Sequence, residues 1–375
     1  MRFIVKRDEF LKALLVAGRA VNSKSSAVPV LANLKFSLND EGLFVTGSNF
    51  ELTIQTKIPY FRNDVEIIRN FEEGETLINA KIITDLARKL DADEISLEVI
   101  DSTIALISGG RMETKLHCIK ADEYPDIDLE ANGTMVELSK LEFDSIVTQT
   151  AFAASTKEQR PILTAMHIDI AEGLLTATTT DSARMAKKSI PVNPDLELSA
   201  NVPAKMMMEV DHLLENADRI EIAFSDKKAL FTFENTLVAT RLIAGEYPNT
   251  KNIVPRVTNY TLEVNAQDLA KAIDRVNILS IDRENVVDFY MNEEIVEVSA
   301  KSAQVGSAKE SIDNFKFNGD GNLQISFNSE FVLSAIRALG CEDVTFLFVG
   351  EMKPFVVKNN EDESVIQIIT PVRTY

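Results

Sequence analysis

The sequence is poor in the residues that most often carry metal, disulfide or nucleophilic chemistry. It has two cysteines, Cys118 and Cys341, and three histidines, His117, His167 and His212. Two cysteines do not make a disulfide framework, and so few ligands spread along the chain do not make a dense zinc cluster. Both thiols read as packing residues. His117 sits beside Cys118 on a strand-like segment, yet no second pair completes a metal site. Walker A, GxGxxG, GxSxG and HExxH motifs are all missing. The acidic pairs Glu72-Glu73 and Glu293-Glu294 read as solvated turns, so no catalytic residue, metal or cofactor is expected. No apolar run approaches the roughly 18–20 residues that span a bilayer. The opening MRFIVKRDEFLKALL has no signal-peptide order and reads as a strand running into an amphipathic helix, so a cytoplasmic protein without membrane contact is expected.

Positive charge is also scarce. The 39 Lys and Arg stand against 58 Asp and Glu, a net charge of −19. Taken alone this argues against nucleic acid, because phosphate repels an acidic surface. Charge acts over about a Debye length, roughly 8–10 Å, so a molecule acidic outside and basic along one lining still holds DNA. The remaining composition, 45% hydrophobic and 26% charged over 375 residues, is that of a globular chain of two or three domains.

What is present is a repeat. NAKIITDLARKL (79–90), VPAKMMMEVDHLL (202–214) and FNSEFVLSAIRAL (327–339) each begin with small or capping residues and continue as an apolar-striped helix. Lys81, Lys205 and Glu330 occupy matching places. Each helix is followed by alternating segments: EISLEV, RIEIAF and DVTFLFV, then TIALIS, KALFTF and PFVVKN. A second helix-like segment opens each repeat: KRDEFLKALLVAGRAV, LSKLEFDSIVTQTAFA and NAQDLAKAIDRVNILS. The chain therefore reads as α+β: three tandem domains of about 125 residues, each of two β-α-β-β-β halves with antiparallel sheets. Turn residues place the domains at 1–131, 132–257 and 258–375, with boundaries near Ala131-Asn132-Gly133 and between Arg256 and Asn259.

On the helices, Ile83, Leu86 and Leu90 form one stripe, and Lys81, Asp85 and Arg88 another. Phe10, Leu14 and Val21 face inward on the first helix, with Lys12 and Arg19 opposite. Lys205, Glu209 and His212 repeat the pattern, and Lys271, Arg275 and Arg337 belong to the third copy. A solvated face and a DNA-facing lining both fit these charges. Two further clusters stand out: Thr180-Asp181-Ser182-Ala183-Arg184-Met185 after a strand, and Ile368-Ile369-Thr370-Pro371-Val372-Arg373 at the end.

The threefold repeat, the Thr180-Asp181-x-x-Arg184 turn, the GEYPN segment and the closing ITPVRTY together resemble the bacterial DNA polymerase III beta-subunit family, the sliding clamps. TTDSARMA resembles that family's ATDGHRLA stretch, and FNSEFVL its FN-x-x-Y-V/L helix start. The likeness covers essentially the whole chain. It implies a non-catalytic processivity factor: a ring-shaped homodimer of six domains, helices lining the hole, sheets outside, duplex DNA threaded without sequence preference. It implies DNA-lining roles for Lys81, Arg88, Lys205 and Asn328, to which the helix faces add Lys12 and Arg19. For the dimer interface it implies Leu116 against Ile278 and Leu279, with Thr114 standing where a larger apolar residue can occur. It further implies that the polymerase catalytic subunit, the clamp loader and other clamp-binding proteins insert an apolar and aromatic peptide into a cleft. Its positions would be Leu163, Thr180, Ala183, Arg184, Met185, Pro248, Ile253, Ile368, Thr370, Pro371, Val372 and Arg373, bordered by Arg160 and Phe331. Ser182-Ala183 replaces the family's Gly-His pair, Asn252 stands where a basic residue can occur, and His212 occupies another such place. Two alternatives remain at this point: a repeat-built DNA-processing enzyme with a hidden metal site, and a scaffold that never touches DNA.

Overall fold

The computed structural model describes every residue except 22–27, 215–216, 251–252, 256, 281–284 and 374–375, so Asn252 and Arg256 lie outside the described residues. The chain forms two compact units, Met1–Lys140 with His212–Leu242, and Leu141–Asp211 with Ile243–Tyr375.

Among the described residues six α-helices fall where the repeat places them: α1 (Arg7–Gly18), α2 (Ala80–Lys89), α3 (Lys140–Thr150), α4 (Ala204–Leu213), α5 (Ala266–Asn277) and α6 (Ser329–Leu339). Their starts have a local cause. The Asn79, Asn265 and Asn328 side chains accept backbone N–H groups in the first turns of α2, α5 and α6, satisfying donors that have no intrahelical partner. Gly340, in the left-handed region at φ 59°, closes α6. Buried residues recur at helical spacing: Phe10, Ala13, Leu14 and Ala17 on α1, and Leu269, Ala272, Ile273 and Val276 on α5. Two details differ from the pattern. α1 ends at Gly18, so Arg19 is its C-cap and Val21 lies beyond it. On α2 the buried stripe is Ala80, Ile83 and Ala87, with Leu86 only half-buried and Leu90 buried just past the helix end.

Each helix is followed by three strands, and every strand pair is antiparallel. In the first unit one sheet has five strands, ordered Met112–His117, Ile104–Gly109, Glu94–Ile100, Arg2–Lys6 and Ile68–Glu72. The larger sheet has eight strands and crosses from one repeat into the next: Leu52–Ile58 of the first repeat pairs with Thr236–Arg241 of the second. The second unit does the same. Its nine-stranded sheet crosses where Arg184–Pro191 pairs with Val365–Ile369, and a four-stranded sheet ends at Gly306–Ile312. Short strands at Phe61–Arg62, Val65–Glu66, Ile68–Glu72 and Phe315–Asn318 are additions to the expected halves.

The crossings obey one rule. The third strand after a repeat's first helix joins the third strand after the next repeat's second helix. Two strands of those classes are left at sheet edges, Met112–His117 and Gly306–Ile312.

The alternating strands bury one face beneath the helices. In the first unit Phe3, Phe10 and Phe36 centre a core with Leu14, Ile83 and Leu97. In the second, Phe289, Phe327, Phe346, Phe348 and Phe355 pack with residues of α5 and α6. Fully burying one such ring is worth about 2–3 kcal/mol, so these aromatic centres fix which face turns inward.

Candidate functional site

In the first unit, α1 packs beside α2, and a groove between them is lined by Arg19, Lys81, Thr84, Asp85 and Arg88 together with Leu14 and Leu15. Lys81, Arg88 and Arg19 are exposed. The Arg88 guanidinium donates to Asp85 at 3.3 Å, a surface pair that leaves the cation free to exchange partners. Lys12 lies around the other side of α1, in a cleft with Asp8, Glu9, Lys57, Arg62 and His212. The structure thus gathers Arg19, Lys81 and Arg88, and puts Lys12 with His212. Lys57 and Arg62 join that cleft from two strands, Leu52–Ile58 and Phe61–Arg62, where helical periodicity gives no signal. In the second unit Lys205 is exposed on the first turn of α4. Asn328 is committed differently: its side chain caps α6, accepting the Glu330 N–H at 2.9 Å.

The second cluster lies wholly in the second unit, where Leu174–Thr180 turns into Arg184–Pro191. The corner is held by its own side chains. Asp181 Oδ1 accepts the backbone N–H of Ala183 and of Arg184, each at 2.9 Å, and Thr180 Oγ1 donates to the Arg184 carbonyl at 2.6 Å. Asp181 Oδ2 also takes the Arg184 Nε–H at 3.0 Å. Ser182 adopts φ 82°, a conformation that costs glycine nothing and other residues something. It stands where the family pattern has glycine, and its hydroxyl accepts from Arg160 at 3.3 Å.

Arg184 is the centre of this corner. Its side chain is only 16% exposed, and its guanidinium lies 4.5 Å from the Phe331 ring centroid and 5.4 Å from that of Phe152. A cation held by one carboxylate and two ring faces is fixed in direction. Phe331 borders the cluster as expected. Phe152 is an addition that sequence spacing did not single out, because the rings come from separate helical segments, whereas Asp181 belongs to the turn the sequence marked.

The C-terminal segment closes onto the corner. The Thr370 N–H donates to the Ala183 carbonyl at 2.8 Å, and the Val372 N–H to the Ser326 carbonyl at 2.8 Å. Met185 and Ile368 sit together in an apolar cluster with Val356, Val254 and Leu347. The twelve expected positions therefore divide. Leu163, Thr180, Met185, Ile368 and Pro371 are buried. Ile253, Thr370 and Arg373 are exposed, and Pro248, Ala183, Arg184 and Val372 are half-buried. Tyr247, just before Pro248, stacks on His167 with ring centroids 4.9 Å apart. Burial pushes its phenol pKa up, against a smaller opposing effect from the backbone of Thr180. Tyr124 of the first repeat is raised in the same way, against the backbone of Ser48.

The interface candidates are edge features. Leu116 lies on the edge strand Met112–His117 and packs against the first unit's core. Ile278 is 68% exposed directly after α5, and Leu279 is half-buried. Among the described residues, no three His, Cys, Asp or Glu side chains converge in metal-binding geometry. No helix is long and apolar enough to cross a membrane.

Comparison with known proteins decides the family. Models of the DNA polymerase III beta subunit match the chain in three stretches: the N-terminal domain at residues 1–128, the central domain at 137–249 and the C-terminal domain at 251–373. The chain belongs to the DNA polymerase III beta-subunit family. Proteins named beta sliding clamp are 31% identical in Halalkalibacterium halodurans, 32% in Staphylococcus epidermidis and 30% in Bacillus subtilis, each alignment covering all of both chains. The crystal structure of the Bacillus subtilis DNA polymerase sliding clamp superposes with a TM-score of 0.96 at 29% identity, over the full length of both. The beta chain from Streptococcus pneumoniae gives 0.95 at 29%, again over both full lengths. The fold is the three-domain sliding-clamp fold, and its setting is DNA replication.

Proposed function

We propose that this chain is a replication processivity clamp in which two copies close a ring around duplex DNA. The observation that carries the reading is the crossing rule. Each repeat hands one strand to the next, and the chain ends with one unsatisfied strand of each class, Met112–His117 and Gly306–Ile312. Exposed strand edges recruit other strands. Head-to-tail pairing of these two edges between copies extends the same rule, and closure at two copies ends the series without a filament. Ile278, exposed after α5, supplies apolar area beside that joint.

In this reading the six clamp domains are two sets of 1–131, 132–257 and 258–375. Arg19, Lys81, Arg88 and Lys205 contact phosphates without reading bases, which holds DNA and lets it slide. Lys12 and Asn328 are lesser contributors, the one in a cleft it shares with Asp8 and Glu9, the other occupied in capping α6. The acidic remainder keeps DNA off the outer wall. The ring holds its substrate by topology and performs no chemistry. The corner at Arg184 with the C-terminal segment receives the apolar and aromatic tail peptides of the polymerase catalytic subunit, the clamp loader and other replication partners in the cytoplasm. Buried apolar residues rimmed by oriented polar groups are the arrangement of a peptide hot spot.

The test is retention on DNA. Protein loaded on closed circular duplex should stay bound through gel filtration and be released when the circle is cut. Charge reversal of Lys81 and Arg88 together should weaken the association at low salt and matter less at high salt. Equal retention on circular and linear DNA would reject encirclement.

A further inference from the structure

Resting on the ring reading, the sheets also fix which residues meet at the joint between copies. Both joints within the chain have one register, and it is traceable rung by rung. Three residues before α2, Leu77 lies opposite Lys35, then Thr46, then Gln55. The equivalent rung before α4 runs Asn201, His167, Thr178, Lys187. The rung before α6 runs Ser326, Asp288, Ser299, Lys309.

The other side of each joint is traced in the same way. Four residues before α1, Phe3 leads through Leu97 and Ile107 to Thr114. Val136 leads through Ile222 and Phe231 to Val238. Leu262 leads through Phe346 and Val357 to Gln367. In the first joint Gln55 faces Leu237, the residue before Val238. In the second joint Lys187 faces Ile366, the residue before Gln367. The offset is the same both times.

We infer that the joint between copies keeps this offset, so that Lys309 of one copy faces Glu113 of the other and Ala308 faces Thr114. The chemistry agrees with the geometry. Glu113 and Lys309 are both exposed and carry opposite charge. Ala308 and Leu116 both pack inward on their own cores, which places Lys309 and Glu113 on the same outer side when the strands pair. Lys309 already holds Glu297 of the neighbouring strand at 2.5 Å, and the Glu297 side chain is only 10% exposed. The ammonium would then bridge two carboxylates, one from each copy. Two copies of net charge −19 repel at long range, so an attractive pair at each joint selects both register and the head-to-tail orientation.

Light scattering of the wild-type protein comes first, and a monomer at all concentrations overturns the ring reading itself. In the dimer, directly opposed residues have Cβ atoms about 4.5–5.5 Å apart, within disulfide reach after small adjustment, whereas a two-residue offset is about 7–8 Å. A308C with T114C should therefore form a covalent dimer under mild oxidation at least tenfold faster than A308C with M112C. Equal rates, or the reverse order, in a dimeric protein overturn the register while leaving the ring intact. E113K should weaken dimerisation roughly 10- to 30-fold, because the two identical joints both suffer. Adding K309E should restore it to within about threefold, with a thermal melt checking the fold, since K309E also acts on Glu297. A folded double variant no tighter than E113K, or E113K indistinguishable from wild type, overturns the charge pair.

Discussion

The same corner is built twice, once in each unit, and only one copy is anchored by charged side chains. In the first unit Gly42–Ser48 turns into Leu52–Ile58, and Asn49 Oδ1 accepts the N–H groups of Glu51 at 3.0 Å and Leu52 at 2.9 Å. In the second unit Asp181 Oδ1 does this for Ala183 and Arg184. Ser48 Oγ accepts the Phe50 N–H as Thr180 Oγ1 accepts that of Ser182. Phe50 and Ser182 share a positive φ, 73° and 82°. A crossing strand donates into each corner, Arg241 N–H to the Glu51 carbonyl and Thr370 N–H to that of Ala183. The backbone device is therefore one device. What differs is Asn49 against Asp181 and Leu52 against Arg184. The neutral version buries Leu52 and ends as a structural turn. The charged version has a second carboxylate oxygen to spend and aims Arg184 between two aromatic rings, and it is the one proposed above to receive partner peptides.

The strongest way to break this contrast is to remove the C-terminal segment that follows the strand crossing into the second corner. Deleting 371–375 takes away Pro371 and the Val372 bond to Ser326, and should abolish binding of a polymerase tail peptide in fluorescence polarisation while the dimer persists. Undiminished affinity would remove the corner from the binding surface. A smaller effect comes from the anchoring side chains. Asp181→Ala leaves two backbone donors and a mostly buried guanidinium without their acceptor, which should cost about 3 kcal/mol of stability, against about 1–2 kcal/mol for Asn49→Ala. Asp181→Asn is the sharper variant. It converts the second corner to the chemistry of the first, so thermal stability should stay near wild type while peptide affinity falls severalfold. A matched loss of both would show that the charge serves the fold alone.

The smallest expected effect is a pH response of the first unit. Hydrogen bonds from Arg69 and Lys6 hold the Glu94 carboxyl down to about 2, from an ordinary value near 4.5. A depressed carboxyl stabilises the fold above its unfolded pKa, and that contribution disappears as pH falls through the folded value. Acid unfolding of the wild type should thus steepen between about pH 4.5 and 2. Glu94→Gln should be about 1 kcal/mol less stable at pH 7 and flatter across that window by circular dichroism.

Much of this molecule was legible before any coordinates. The helices beginning at Ala80, Ala266 and Ser329 follow an asparagine cap, and the alternating EISLEV, RIEIAF and DVTFLF each became a strand, because capping and period-2 burial are local properties. The site was legible in outline through Thr180-Asp181-x-x-Arg184. Phe152 was not, since nothing local couples a ring after α3 to an arginine some thirty residues on. The end of α1 at Gly18 was also misread, because the apolar spacing continues to Val21 while the helix does not.

Residue order by itself settled the count of repeats and the order of helices and alternating strands within them. Tertiary structure alone decided how the sheets pass from one repeat into the next, which strands remain at the edges, and which of two matching corners confines a cation. Local preference acts through neighbours three or four positions apart. Strand partners more than a hundred residues distant are chosen only when the chain closes on its core.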